Sequence, residues 1–295
     1  MATDAVVVRR SAGRRLAGLF HGRPRLRIGS LLAAPMAWLV ILYLGSLLVL
    51  LVTAFWTVDP LSGAVIKELS WENFKELVNV PVYREIVWRT VRTAILVTVT
   101  DAIIAFPIAF FMAKVAGRKT KALLVVAVLM PLWASYLVKV VAWRAMLAEH
   151  GVINWALHPL GISGPGEGTA AVWLVMSYLW LPYMILPIFA GLERIPNSLI
   201  SASEDLGAHP LTTFRRVILP LSFPAVVAGS IFTFSLTLGD YIAPKLVSNE
   251  QFIGTSIYDS ITNNQPFAAA FALVPIVVVI AYLGVARKLG AFEHV

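Results

Sequence analysis

The sequence predicts an all-α polytopic membrane protein with six transmembrane helices and both termini in the cytoplasm. Three observations carry this expectation. Of 295 residues, 59% are hydrophobic and 14% charged. Soluble domains hold roughly 45–50% apolar and about 25% charged residues, so much of this surface must face lipid. Six apolar windows recur along the chain: 28–58, 93–113, 122–138, 168–192, 217–239 and 260–286. Their only charge is Asp101. Finally, Lys and Arg crowd into alternate connecting segments.

Residues 1–27 form a basic tail. Its Arg9-Arg10 and Arg14-Arg15 pairs imitate a twin-arginine signal, but the apolar run that follows far exceeds a signal core of 7–15 residues. A retained first helix is expected over 28–57. The outer loop, 58–86, carries Trp71, Phe74, Leu77 and Val78 at helical spacing, with Glu72, Lys75 and Glu76 between them. That pattern predicts a short amphipathic surface helix. Residues 87–286 hold the remaining five spans, and residues 287–295 form a cytoplasmic tail. A membrane helix needs about 20 apolar residues and must satisfy its backbone internally. The third window is the shortest, reaching Lys139, and is extended to Trp143. Pro107, Pro131, Pro182, Pro187 and Pro275 fall inside spans. They read either as ordinary bends or as hinges of a bundle that rocks between two states.

Orientation follows from the basic residues. Segments 1–27, 114–121, 192–216 and 287–295 hold 16 Lys/Arg, whereas 58–86, 144–167 and 244–259 hold 5. Cytoplasmic loops carry the excess, which places both termini inside. The net charge of +8 is thus split among four loops, and no nucleic-acid partner is expected.

Several chemistries are excluded. The chain has no cysteine, hence no disulfide, thiolate nucleophile or Cys-type zinc site. Segment 161–168 is glycine-rich but lacks the Gly-Lys-Ser/Thr ending of a phosphate loop. The five histidines form no metalloprotease pair, and no nucleophile elbow occurs. The chain is therefore not expected to be an enzyme or to bind a cofactor or metal.

The loop between the fourth and fifth spans, 193–219, is the most informative stretch. Pro196-Asn197-Ser198 starts a short helix. Gly207 ends it by tolerating positive φ, and His209-Pro210 opens a second. Small residues at Ala202, Ser203 and Gly207 let another surface approach. The physics alone fits a knob for a partner's groove or a plain amphipathic linker. This stretch resembles the EAA loop of binding-protein-dependent ABC importer permeases. That pattern is Glu-Ala-Ala, three residues, Gly, nine residues, then Ile-x-Leu-Pro. Here Ser201-Ala202-Ser203, Gly207 and Val217-Ile218-Leu219-Pro220 stand at matching positions. Ser201 replaces the glutamate and Ser203 the second alanine, with Glu204 and Asp205 adjacent. The resemblance covers about residues 70–290 and implies a type I ABC importer permease fold. It also implies ATPase coupling through Ser201, Ala202, Ser203, Glu204, Asp205, Leu206, Gly207, Leu219 and Pro220. The implied partners are two ABC ATPase subunits that hold ATP and magnesium, a second permease subunit, paralogous in a heterodimer, and an external substrate-binding protein.

A second stretch narrows the resemblance. Leu238-Gly239-Asp240-Tyr241-Ile242-Ala243-Pro244-Lys245-Leu246-Val247, then Phe252-Ile253-Gly254, looks like the fifth-span ending of spermidine/putrescine-type permeases. Pro220-Leu221-Ser222-Phe223-Pro224 fits that group, and Ser248-Asn249 replaces its usual glycine pair. A small cationic solute, a polyamine, is the implied cargo. Relatives of similar sequence carry an opine, ferric iron, thiamine or an organophosphonate, and these stay open. An ATP-independent carrier is the remaining rival, though no inverted repeat relates 28–143 to 168–286.

Asp240, Tyr241 and Asp101 are the candidate pathway residues. An acid near the bilayer centre costs roughly 2.5–3.5 kcal/mol and generally faces a bundle interior. Asp240 reads equally as a solvated helix end. Asp101 reads also as half of an ion pair with Lys139, Arg89 or Arg92. Tyr241 offers a cation–π face. Lys139 would repel a polycation in the path and is expected to meet a carboxylate or to snorkel outward.

Overall fold

The computed structural model describes residues 24–288. Most of the two expected tails, including both arginine pairs, lies outside these residues. The chain divides after Thr53 into two units.

The first unit is one helix in three pieces: α1 (Pro24–Trp38), a π-helical turn (Leu39–Leu44) and α2 (Gly45–Thr53). Its apolar part, Leu32–Thr53, has 22 residues, about 33 Å at 1.5 Å per residue. That length crosses a hydrocarbon core of about 30 Å. Trp38, Ile41, Tyr43 and Val49 all stand exposed, as a helix in lipid requires.

The second unit opens with a two-stranded hairpin, β1 (Thr57–Val58) against β2 (Val65–Ile66). This small departure from an all-helical chain is closed by Asp59. One Asp59 carboxylate oxygen accepts the Leu61 N–H at 2.9 Å, and the other accepts the Ser62 hydroxyl at 2.7 Å. The amphipathic helix follows as α3 (Glu72–Asn79). Asn73, buried on it, donates to the carbonyls of Ala54 (2.9 Å) and Trp56 (2.7 Å). Phe55, Trp71 and Phe74 cluster with ring centroids 5.0–5.5 Å apart.

The body consists of α4 (Pro81–Phe110) with a π-turn (Phe111–Val115), α5 (Arg118–Trp133), α6 (Tyr136–Leu147), α7 (Val152–Leu157) and α8 (Thr169–Arg194). Then come α9 (Asn197–Asp205), α10 (Pro210–Thr213) with a π-turn (Phe214–Ile218), and α11 (Leu219–Gly239). The chain closes with α12 (Ile242–Val247), α13 (Ile253–Ser260) and α14 (Gln265–Lys288). Among the described residues five helices are long and apolar enough to cross a membrane. A sixth span results if α5 and α6 are one, bent by 90°. The expected third span falls on this bent pair, with Pro131 just before the break.

α4, α8 and α11 pack most closely and form the centre. On α4 the buried residues Thr90, Ala94, Val97, Thr98, Asp101, Ala105 and Ala109 recur every three or four positions and so share one face. The apolar ones among them fall in three clusters. Ala94 joins Phe234 and Leu238. Val97 joins Val175, Met176 and Leu179, and Ala105 and Ala109 join Met184, Ile188 and Leu192. Lipid gives helices little hydrophobic reason to associate, so close backbone approach through small residues carries much of the packing. Gly229 on α11 shows this: an added Cβ would lie 3.2 Å from the Met184 Cα and carbonyl oxygen on α8.

Among the described residues each of the three π-turns begins four residues after a proline. Pro35 precedes Leu39, Pro107 precedes Phe111, and Pro210 precedes Phe214. A π-turn holds one surplus residue in a helix, and here that surplus neighbours the residue that cannot donate a backbone hydrogen bond.

Candidate functional site

Two regions stand out, one at each end of the central bundle. At one end α9 and α10 form the elbow over 193–219. α9 ends in a two-bond C-cap. The Ala208 N–H reaches the Ser203 carbonyl (3.1 Å) and the Gly207 N–H reaches that of Glu204 (2.8 Å). This is a Schellman motif, which needs a left-handed residue after the cap, and Gly207 supplies it at φ +74°. The His209 ring then accepts the Leu211 N–H at 3.4 Å, with Pro210 at the first helical position. Ser203 Oγ and Thr213 Oγ1 lie 2.9 Å apart across the bend.

The elbow is anchored by residues that pattern reading missed. Lys114 Nζ donates to the Ile195 carbonyl (2.5 Å) and to Asn197 Oδ1 (3.2 Å), which sets a cation at the carbonyl end of α8. Lys121 pairs with Glu193 at 2.7 Å. Phe106 meets Phe214 edge-on at 5.5 Å, and Ile218 is buried. Outward, Ser201, Ala202, Glu204, Asp205, Gly207, Leu219 and Pro220 are exposed. Leu206 is 88% exposed. Ser203 is half-buried and turned to Thr213.

Toward the other end lie the pathway candidates, which the fold does not gather into one cluster. Asp101 is fully buried on α4, and neither carboxylate oxygen has a hydrogen-bond partner among the described residues. It sits between the Val97 and Ala105 clusters. The expected ion pair is not formed. Arg89 instead meets Glu85 (2.8 Å) and Glu250 (3.4 Å) and donates to the Gln251 carbonyl (3.1 Å). The physical reason is one of level: Asp101 lies about three turns along α4 from Arg89. Lys139 is half-buried and has no carboxylate partner among the described residues.

Asp240 follows the last residue of α11. Its Oδ1 accepts the N–H groups of Ile242 (2.9 Å) and Ala243 (3.3 Å), and its Oδ2 accepts the Tyr136 hydroxyl. Tyr136, the first residue after the break, stacks on Trp180 with centroids 5.9 Å apart and an 18° interplanar angle. Trp180 meets Tyr183 at 5.9 Å and 61°. The indole N–H of Trp180 is buried without an acceptor among the described residues. Pro131 was the sequence signal for this region, but nothing in the pattern joins Tyr136 to a residue 104 positions later. Tyr241 points elsewhere, stacked on Tyr258 at 4.7 Å. Lys245 Nζ already stands 4.3 Å from the Tyr258 ring and bonds Asp259. Beyond α6, a cavity of about 1210 Å³ is lined by His150, Trp155, His158, Ile162 and Glu167 among others. Its loop is held by Asn154, which donates to the Ala148 carbonyl (2.9 Å) and accepts the Gly164 N–H (2.6 Å).

The model of a family described as "Binding-protein-dependent transport system inner membrane component" matches residues 86–290. The Escherichia coli K12 "Inner membrane ABC transporter permease protein YdcU" is 45% identical over 297 residues, covering 95% of each chain. The Haemophilus influenzae "Spermidine/putrescine transport system permease protein PotB" is 31% identical, over 80% of this chain and 85% of that one. Among solved structures, one chain from a bacterial alginate ABC transporter in complex with an alginate pentasaccharide-bound periplasmic protein superposes with a TM-score of 0.69 at 14% identity. The match spans 92% of this chain and 98% of that one.

Proposed function

The chain belongs to the family of binding-protein-dependent transport system inner membrane components and is a permease subunit of an ATP-binding cassette importer; we propose that its cargo is a small polyammonium ion of the spermidine or putrescine class. It is a multi-pass inner-membrane component and not an enzyme, working with an ATPase and a substrate-binding protein.

The observation that carries the coupling mechanism is the elbow. A glycine-capped helix with exposed Leu206 and acids projects from the bundle while Lys114, Lys121 and Phe214 root it in α4, α5 and α8. A push on such a knob reaches the membrane helices through rigid contacts. In this reading the elbow lies in the cytoplasm with both termini. There it seats in an ATPase subunit, one of two, that holds ATP and magnesium. Transport requires that nucleotide and cargo each favour one of two global states. A second, paralogous permease completes the pathway, and the loaded binding protein docks on segments 58–86, 144–167 and 244–259.

The polyamine cargo is supported by the similarity to PotB and by the acids at Asp240 and Asp101. The test is ATP-dependent uptake of radiolabelled spermidine and putrescine into proteoliposomes that hold the whole assembly, with binding protein outside. Accumulation of either supports the reading. Uptake of thiamine, an opine, ferric iron or an organophosphonate instead overturns it. For the elbow, Gly207→Asp should leave the chain inserted but abolish ATPase assembly or uptake, and normal uptake would refute the assignment.

A further inference from the structure

We propose that cargo touches this subunit at the break in the third span, where Asp240, Tyr136, Trp180 and Tyr183 form a carboxylate and aromatic cage for an ammonium group. This rests on the reading of the chain as a permease for a cationic solute and names residues for it.

The break itself is the first reason. α5 stops at Trp133 and α6 starts at Tyr136, turned by 90°. Helix ends leave backbone carbonyls and amides without helical partners. At membrane depth such groups survive only where protein buries them or a wet cavity borders them. This chain does not cover the break, since Trp133, Ala134 and Ser135 are all exposed and Trp133 is 83% exposed. Discontinuous helices are where transporters commonly build sites for charged cargo.

The charge is the second reason. Asp240 stands at the carbonyl end of α11, where the helix dipole disfavours an anion. The Ile242 and Ala243 amides offset part of that cost at Oδ1. Oδ2 receives only the neutral Tyr136 hydroxyl, and no Lys, Arg or His among the described residues pairs with Asp240. An approaching cation gains from both the carboxylate and the helix end.

Tyr136 supplies the third. Its hydroxyl occupies the carboxylate while its ring covers the face of Trp180. One side-chain movement therefore uncovers both a carboxylate oxygen and an indole face. An ammonium group can take over both contacts, as a charged donor to Oδ2 and as a cation over the indole. Tyr136 thus acts as a displaceable plug, and the three rings set a preference for ammonium over bare metal ions.

The absence of native cysteine allows a test that does not depend on knowing the cargo. Ser135→Cys in the full assembly, in membrane vesicles under ATP turnover, is treated with a trimethylammonium-ethyl or a sulfonato-ethyl methanethiosulfonate. Modification is read on this chain by mass, and rates are normalised to a free thiol. The cationic reagent should be favoured by about tenfold over that reference. The preference should vanish in Asp240→Asn, which keeps the acceptor for both amides and so the local fold. Trp180→Phe should reduce it partly. If neither reagent reaches the introduced thiol, or if Asp240→Asn leaves the preference intact, the cage is wrong. If the preference stands and responds to Asp240→Asn but spermidine neither slows labelling nor is transported, the cage stands and the polyamine cargo falls.

Discussion

Ser203 Oγ on α9 lies 2.9 Å from Thr213 Oγ1 on α10, and Thr213 is only 3% exposed. This bond closes the elbow from inside. Thr213→Val keeps the shape and removes the hydroxyl, leaving Ser203 half-buried without its partner. The expected loss is about 1 kcal/mol of elbow stability. It should show as faster amide exchange over 197–213 and as ATP hydrolysis less tightly tied to uptake. Unchanged exchange would assign the two hydroxyls no bracing role.

Lys114 joins the end of α4 to the root of the elbow through Ile195 and Asn197. Lys114→Met preserves the aliphatic stem and removes the donors. It should cost about 1.5–3 kcal/mol, the range for hydrogen bonds to charged groups. Uptake should fall while ATPase binding, which the proposed function assigns to the exposed side of the elbow, persists. Loss of ATPase binding with unaltered coupling would argue the reverse.

Asp101 is buried without a hydrogen-bond partner among the described residues. Asp101→Asn keeps the volume and deletes the ionisable group, so the purified chain should unfold at an equal or higher temperature. A marked drop in unfolding temperature would reveal a stabilising partner. If Asp101 also meets cargo, uptake should fall in the same variant even as stability rises.

Gly229 abuts Met184 across α8 and α11. Gly229→Val should force the two helices apart at a cost of about 1–3 kcal/mol, read as a lower unfolding temperature in detergent. An unshifted transition would mean that α8 yields at this contact.

The hairpin carries a pH dependence of defined sign. The Leu61 amide, chiefly, and the Ser62 hydroxyl hold the Asp59 carboxyl below its ordinary value. A depressed folded-state pKa gives stability present above the unfolded value and lost as pH falls through the folded one. Protection of the Leu61 amide should therefore be full above the ordinary aspartate value and be lost as the pH falls below it. Asp59→Asn should flatten the profile.

Long apolar runs made the spans legible because lipid leaves the chain no other solution, and Gly207 was legible because a reversed helix end needs a left-handed residue. The amphipathic helix also came from spacing alone, although its clamp, Asn73, did not. What stayed hidden depends on distances that no local pattern encodes. The 90° break reads in sequence as a proline and a shorter window. Tyr136 meets Asp240 only because the broken span brings α6 against the end of α11. Asp101 invited an ion pair because Arg89 and Arg92 lie near in sequence, yet Arg89, about three turns away on the same helix, pairs with Glu85 and Glu250 instead.

The proline-linked wide turns have a consequence for how force can move through the bundle. Two of them lie at the elbow, Phe214–Ile218 within it where it leads into α11, and Phe111–Val115 at the end of α4 where Lys114 holds its root. A wide turn that gives up its spare residue to ordinary helix rotates everything beyond it by roughly 100° and shifts it by about 1.5 Å. Movement begun outside the bilayer can then arrive at Asp101 and its neighbours as a screw motion of whole helices, with little bending between.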